Sequence, residues 1–290
     1  MFHLIGVPID SAGTAGGTEL APAAFRSLGL GEALGSRDGG DLDVRIRAER
    51  RDPATGVVGL DDVIRTTSEI RGAVAEVARS GDTPFLVGGC CALVPGALAG
   101  LADAGGTVGL AHLDGHLDLY DEKSSPLGEA ADMPVAVALG LGPAGWVEAA
   151  GRPLTPGATW IVGYRDREES LADGMVMPED FDPPVNSMST DELRRSGPAR
   201  SGREVADGLA AAADGYWVHL DLDIVDPALF FANDAPVPDG IDWDELTELM
   251  TPLLRSPALA GVSLGCYNPE KDHDGENGRR IVQVFADALR

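Results

Sequence analysis

Short apolar runs alternate with longer stretches of helical periodicity along almost all of this 290-residue chain. That alternation constrains the fold more than any other feature. Strand-like runs fall at residues 2–7, 42–46, 84–87, 108–113, 159–163, 216–222 and 259–264, and helical patterns at 61–80, 93–102, 201–213, 243–254 and 278–289. Strands separated by helices predict an α/β protein with a mostly parallel sheet covered on both faces. Such sheets bind ligands beyond the carboxyl ends of their strands. Residues 175–189, with Pro178, Pro183 and Pro184, and residues 230–240, with Asn233, Pro236 and Pro238, read as irregular because proline interrupts regular structure. Loops placed there would shape a pocket mouth. No Pro/Ser-rich linker divides the chain, no repeat stands out, and 44% hydrophobic residues supply a full core, so the expectation is one domain over residues 1–290.

Two acidic stretches stand where ligands are expected. Asp114-Gly-His116-Leu-Asp118 follows the run 108–113, and Asp221-Leu-Asp223-Ile-Val-Asp226-Pro227 continues the run that starts at Trp217. Buried carboxylates are costly unless paired or bound to a cation. Alternate residues of a strand share a face. Asp114, His116 and Asp118 are therefore expected to converge on one spot, and Asp221 and Asp223 on another. Four carboxylates and an imidazole suit manganese or a similar divalent ion. Acids at strand ends also serve as helix caps or turn residues, which accounts for one acid per strand, such as Asp226 before Pro227, but not for two alternating sets.

The formal charge is −25, from 47 acidic and 22 basic residues. It argues against nucleic acid or an anionic membrane as partner. No apolar run approaches the ~20 residues of a membrane span, and the first residues lack the basic flank of a signal peptide. Three cysteines, Cys90, Cys91 and Cys266, form no disulfide framework, which points to a reducing, cytoplasmic setting.

Taken in order, these residues resemble the ureohydrolases, the family of arginase, agmatinase and related amidinohydrolases. Gly6-Val-Pro-Ile-Asp10, Gly17 to Pro22, Phe25-Arg26 and Asp38-Gly-Gly-Asp-Leu42 look like the family's opening segments. Asp114 to Asp118 stands where the family has Asp-Ala-His-x-Asp, and Asp221 to Pro227 is similar to its Asp-x-Asp-x-x-Asp-Pro. Gly163-Tyr-Arg-Asp166 and Asn268-Pro269 add to the agreement. The resemblance implies a three-layer α/β/α arginase-like fold with a binuclear manganese cluster that activates water for attack on an amidine or guanidine carbon. It implies that Asp114 and Asp221 bridge the two metals, that Asp118 ligates one and orients the water, and that His116 and Asp223 ligate the other. It also implies a small-molecule substrate and a homo-oligomer, a trimer or hexamer.

Three positions depart from the family pattern. The family's first metal ligand is a His in a Gly-Gly-Asp-His-Ser loop; here the loop reads Gly88-Gly-Cys-Cys91-Ala92, which puts Cys91 at the ligand position. A thiolate is a softer ligand than imidazole and suits manganese poorly. Ala131 stands where a proton-shuttling His is expected, and the nearby acids Glu129 and Asp132 are the candidates to replace it. Cys266 stands where a Glu anchors the substrate guanidinium, and a neutral thiol cannot form that charge-assisted pair. The expected activity is therefore a metal-dependent amidinohydrolase-type hydrolysis of a guanidino, hydroxyguanidino or amidine compound other than arginine or agmatine. The alternatives are a catalytically silent relative with a binding or structural role and, by fold analogy alone, a metal-dependent deacylase. His112 and His219, two residues before Asp114 and Asp221, are expected to support the ligands from behind, and His273 to lie on the surface.

Overall fold

The computed structural model describes residues 1–47, 51–151 and 154–290. Its centre is an eight-stranded sheet built from β1 (Phe2–Val7), β2 (Arg37–Asp41), β3 (Thr83–Gly88), β4 (Val108–Leu113), β5 (Thr159–Val162), β6 (Asn186–Met188), β7 (Gly215–Asp221) and β8 (Leu259–Gly265). The spatial order is β2-β1-β3-β8-β7-β4-β5-β6, and each neighbouring pair runs parallel.

The apolar alternation along the strands divides the core in two. Ile5, Leu86, Leu110, Ile161 and Trp217 face one layer of helices, which includes Leu60–Arg79 and Val94–Ala104. Leu4, Phe85, Ala111, Val162, Tyr216 and Val218 face the other, which includes Pro198–Ala212, Trp243–Leu254 and Glu276–Leu289. Helix Leu60–Arg79 shows why these segments dock. Val63, Thr66, Thr67, Ile70, Val74 and Val77 recur at helical spacing and are buried. Each large apolar side chain buried this way contributes roughly 1.5–3 kcal/mol. The result is the expected three-layer α/β/α arrangement around a parallel sheet.

Two expectations about the sheet need correction. Residues 42–46 are not a strand; β2 is the preceding segment, Arg37–Asp41. Val44 and Ile46 are buried, but they pack into the core from an irregular segment. Residues 175–189 are not wholly irregular, since they contain β6 after the turn Pro178–Asp180.

The topology gathers the site. The chain makes β3, β4, β7 and β8 at different times, yet they are the four adjacent strands at the middle of the sheet. Their carboxyl ends carry Cys91, Asp114 to Asp118, Asp221 to Asp223 and Cys266.

Candidate metal centre

Register decides which side chains meet. His112 of β4 lies opposite His219 of β7, which lies opposite Ser263 of β8. The two imidazoles stack with centroids 5.1 Å apart. Asp114 stands one residue past the end of β4, and Asp221 is the last residue of β7. The backbone then leaves strand geometry. Asp118 adopts φ 52°, and Leu222–Ile224 form a 3-10 turn. The two acidic sets therefore do not converge each on its own spot, because the alternation of a strand ends where they begin. They interleave instead.

Three clusters of ligand atoms result. Cys91, Asp114, His219 and Asp221 form one; Asp114, His116 and Asp223 form a second; His112, Asp114 and Asp118 form a third. Asp114 belongs to all three. Cys91 Sγ lies 2.7 Å from Asp221 Oδ2 and 3.8 Å from Asp114 Oδ2. His116 Nδ1 lies 2.9 Å from Asp223 Oδ2. His112 Nε2 lies 2.9 Å from Asp114 Oδ2 and 3.1 Å from Asp118 Oδ2. Backbone amides fix the carboxylates: His116 N donates to Asp114 Oδ1, Asp223 N to Asp221 Oδ1 and Gly115 N to Asp223 Oδ1. A Cβ on Gly115 would come within 2.8 Å of the Arg165 guanidinium and 2.9 Å of Asp223 Oδ1, so a side chain here would oblige these neighbours to shift. Arg165 ties the rim together by donating to the carbonyls of Gly163, Asp223 and Val237.

The buried acids and imidazoles of the cluster perturb one another strongly. All four aspartates are buried. Burial and Asp114 push the Asp118 carboxyl up to about 7. Burial and Asp223 push Asp221 well above the usual range, and burial and Asp114 raise Asp223. Asp114 goes the other way: burial works to raise it, but the His112 and His116 imidazoles hold it well below the usual range. Burial works against charging His112, yet Asp114 and Asp118 bring it up to about 10. Burial and His112 push His219 down to about 3. Acids that are this reluctant to ionise together, bonded to backbone amides and sharing Asp114, fit a site for divalent cations.

A cavity of about 470 Å³ opens onto the cluster. Cys91, His116, Asp118, Asp221, Asp223 and Cys266 reach it, and so do Glu129, Ala131 and Asp132. Asp114 lies behind them. Glu129 is raised by burial and by Asp132, and Asp132 accepts a bond from Ser125 Oγ at 2.8 Å. Cys266, at φ 60°, sets its Sγ 3.6 Å from that of Cys91. All three cysteines are unpaired. The 230–240 loop does form part of the wall, through Asn233, Asp234 and Ala235, whereas no residue of 175–189 lines it among those described. Asp226 holds that loop's base by accepting from Gly240 N. His273 is exposed, as expected. The sequence did not single out Asp10 or Glu169 as cavity residues. Asp166 carried a signal in Gly163-Tyr-Arg-Asp166, directly after β5. A more open depression of about 1090 Å³ lies beside Arg45 and Arg47 but holds none of the clustered donors, so volume alone does not locate the site.

Fold and donors together define a class: an α/β protein with a carboxylate-rich centre, able to hold metal, at the carboxyl ends of a parallel sheet. The chain belongs to the arginase family, whose sequence model matches residues 1–289. It is 28% identical over 300 residues to the arginase of Bacillus subtilis (strain 168), covering 99% of this chain and 97% of that protein. The solved native structure of arginase from Bacillus caldovelox superposes with a TM-score of 0.88 at 25% identity, over 99% of this chain and 97% of that one. The formimidoylglutamase of Bacillus subtilis subsp. subtilis str. 168 shares the fold, with a TM-score of 0.75 at 19% identity over 99% of this chain and 85% of that one. Among the described residues no helix is long and apolar enough to cross a membrane.

Proposed function

We propose that this arginase-family hydrolase cleaves a C–N bond of a guanidino, hydroxyguanidino or amidine small molecule other than arginine or agmatine. The cavity wall carries the reading. Beyond the clustered donors it presents Asp10, Glu129, Asp132, Asp166, Glu169 and Asp234, and no described Lys or Arg. A cationic substrate suits such a wall, whereas the carboxylate of an amino acid would find no Lys or Arg among the described lining residues and, beyond the cluster, only neutral donors such as Ser11, Thr14, Thr18 and Asn233. Cys266 stands where the resemblance puts a guanidinium-anchoring Glu and offers no charged partner there, which argues against a guanidinium seated as the resemblance implies for arginine and agmatine.

Asp114, His116, Asp118, Asp221, Asp223 and Cys91 are the residues we assign to two metal ions, with manganese favoured beside His116 because oxygen and imidazole donors suit it. When bound, such ions acidify water and polarise the substrate's reacting carbon. Asp118, held by His112 at 3.1 Å, orients the water and accepts its proton. Water adds to the guanidine or amidine carbon, the C–N bond breaks, and the leaving amine takes a proton. Ala131 cannot deliver that proton; Glu129, with its raised carboxyl facing the cavity, is the donor we assign. The 290 residues act as one domain in this reading, in the cytoplasm, as a trimer or hexamer, without nucleic acid or membrane partners.

Release of ammonia or amine from a panel of guanidino, hydroxyguanidino and amidine compounds, with urea also measured for the guanidino ones and with manganese present, tests it. The best substrate should exceed arginine and agmatine in kcat/KM by roughly a hundredfold or more, the scale of a lost buried charge partner. Hydrolysis of arginine as fast as any compound on the panel would overturn the specificity. Turnover of none would overturn the reaction.

A further inference from the structure

We infer that His219 is a direct ligand of the ion held by Cys91, Asp114 and Asp221, which makes this half of the centre a mixed sulfur, nitrogen and oxygen site for a zinc-like ion. The inference rests on the metal-dependent reading above and extends it. The family's imidazole at the Cys91 position is missing, and the structure brings another imidazole to the same place from the neighbouring strand. His219 Nε2 lies 3.3 Å from Cys91 Sγ. Its ligand atom, the Cys91 sulfur and one oxygen each from Asp114 and Asp221 all lie within 4.8 Å of one another, and all four residues are buried. Two donors on one four-coordinate zinc, at ~2.3 Å for sulfur and ~2.0 Å for nitrogen, stand roughly 3.5 Å apart.

The ring is held for this task. Its Nδ1 lies 2.7 Å from Ser263 Oγ, which also accepts from Trp217 Nε1 at 2.8 Å. Ser263 faces His219 directly across the β7–β8 ladder. That bond turns Nε2 toward the sulfur, and a second partner on the far nitrogen is how ligating imidazoles are oriented. His112 has no such freedom, because its Nε2 is shared between Asp114 and Asp118. A thiolate with an imidazole selects zinc or cobalt over manganese, whose preference is for oxygen. The second cluster, Asp114, His116 and Asp223, keeps the harder donor set.

Cobalt reports the site without any turnover. The full chain, stripped of metal and titrated with one equivalent of Co²⁺, should show a thiolate-to-cobalt charge-transfer band in the near ultraviolet and the intense visible bands of four-coordinate cobalt. Cys91→Ser should abolish the first. His219→Gln should keep it, weaken the visible bands and lower cobalt affinity by about tenfold or more. His116→Ala should change neither. One equivalent of Zn²⁺ should displace the cobalt, and the same amount of Mn²⁺ should not. An unchanged spectrum and affinity in His219→Gln, or displacement by manganese as readily as by zinc, would overturn the assignment. If His219→Gln fails to fold, zinc-edge X-ray absorption of His116→Ala loaded with one equivalent of zinc decides the matter. Sulfur together with imidazole scattering supports the assignment, and sulfur without imidazole overturns it. Failure of the hydrolase reading would leave these spectra intact, so the two outcomes are separable.

Discussion

Asp118 shows what the cluster demands of a single side chain. Its carboxyl moves from 3.8 to about 7 in the folded protein, so between those values the folded state holds a proton that the unfolded chain has released. The stability contributed by that proton is complete below about pH 4 and is lost as pH rises through 7. Stripped of metal, the protein should therefore lose stability relative to Asp118→Asn as pH increases from 4 to 7. Paired urea melts at several pH values check this, and a gap that stays constant would contradict it. Asp221 gives a second prediction. Asp221→Asn removes an acid that burial and Asp223 push well above its usual range. The metal-free variant should melt no lower than the parent, yet lose the stabilisation that metal confers, about 2.7 kcal/mol at a metal concentration a hundredfold above Kd. Equal metal-induced shifts in Tm for variant and parent would remove Asp221 from the site.

At the scale of elements, close packing outweighs propensity. Helix Val94–Ala104 crosses helix Leu60–Arg79 on two glycines. A Cβ on Gly96 would lie 2.7 Å from the Thr67 carbonyl oxygen, and one on Gly100 2.5 Å from that of Arg71. Gly100→Ala should gain up to ~1 kcal/mol of helix propensity and lose ~1–3 kcal/mol to overpacking. The net expectation is destabilisation, measured as a lower denaturation midpoint with an unchanged m-value. The same contrast between local and lateral forces explains what the sequence disclosed. The six strands legible from their apolar runs are β1, β3, β4, β5, β7 and β8, all flanked by neighbours on both sides. The two that were missed or misplaced, β2 and β6, are the edges of the sheet. Arg37-Asp-Gly-Gly-Asp41 is exposed throughout and is a strand only because β1 offers it a partner. Asn186–Met188 has three residues beside two prolines. The site followed the same rule. Acids alternating at strand ends were legible as a cluster, but the meeting of His219 with Cys91 depends on the order of four strands, which no local pattern encodes.

For the whole molecule, a formal charge of −25 on 290 residues means self-repulsion that salt screens. With metal removed, Tm should rise as sodium chloride goes from very dilute to about 0.15 M, where the Debye length falls to ~8 Å. Differential scanning calorimetry measures this, and a Tm that falls with salt would show that local ion pairs outweigh the global charge. The strand order has a different consequence, one for the cell making the protein. β3 and β4 never touch; β8 and β7, the last two strands synthesised, lie between them. A nascent chain has therefore displayed the Cys91 thiol long before the strands that bury it leave the ribosome. At ~5–20 residues per second that interval is roughly ten to thirty-five seconds. Through it the sulfur faces whatever oxidants and stray ions the surroundings contain. In the proposed reading, in which Cys91 holds an ion, loading the centre would follow translation and the redox state of the host would govern how much of each batch accepts its ion.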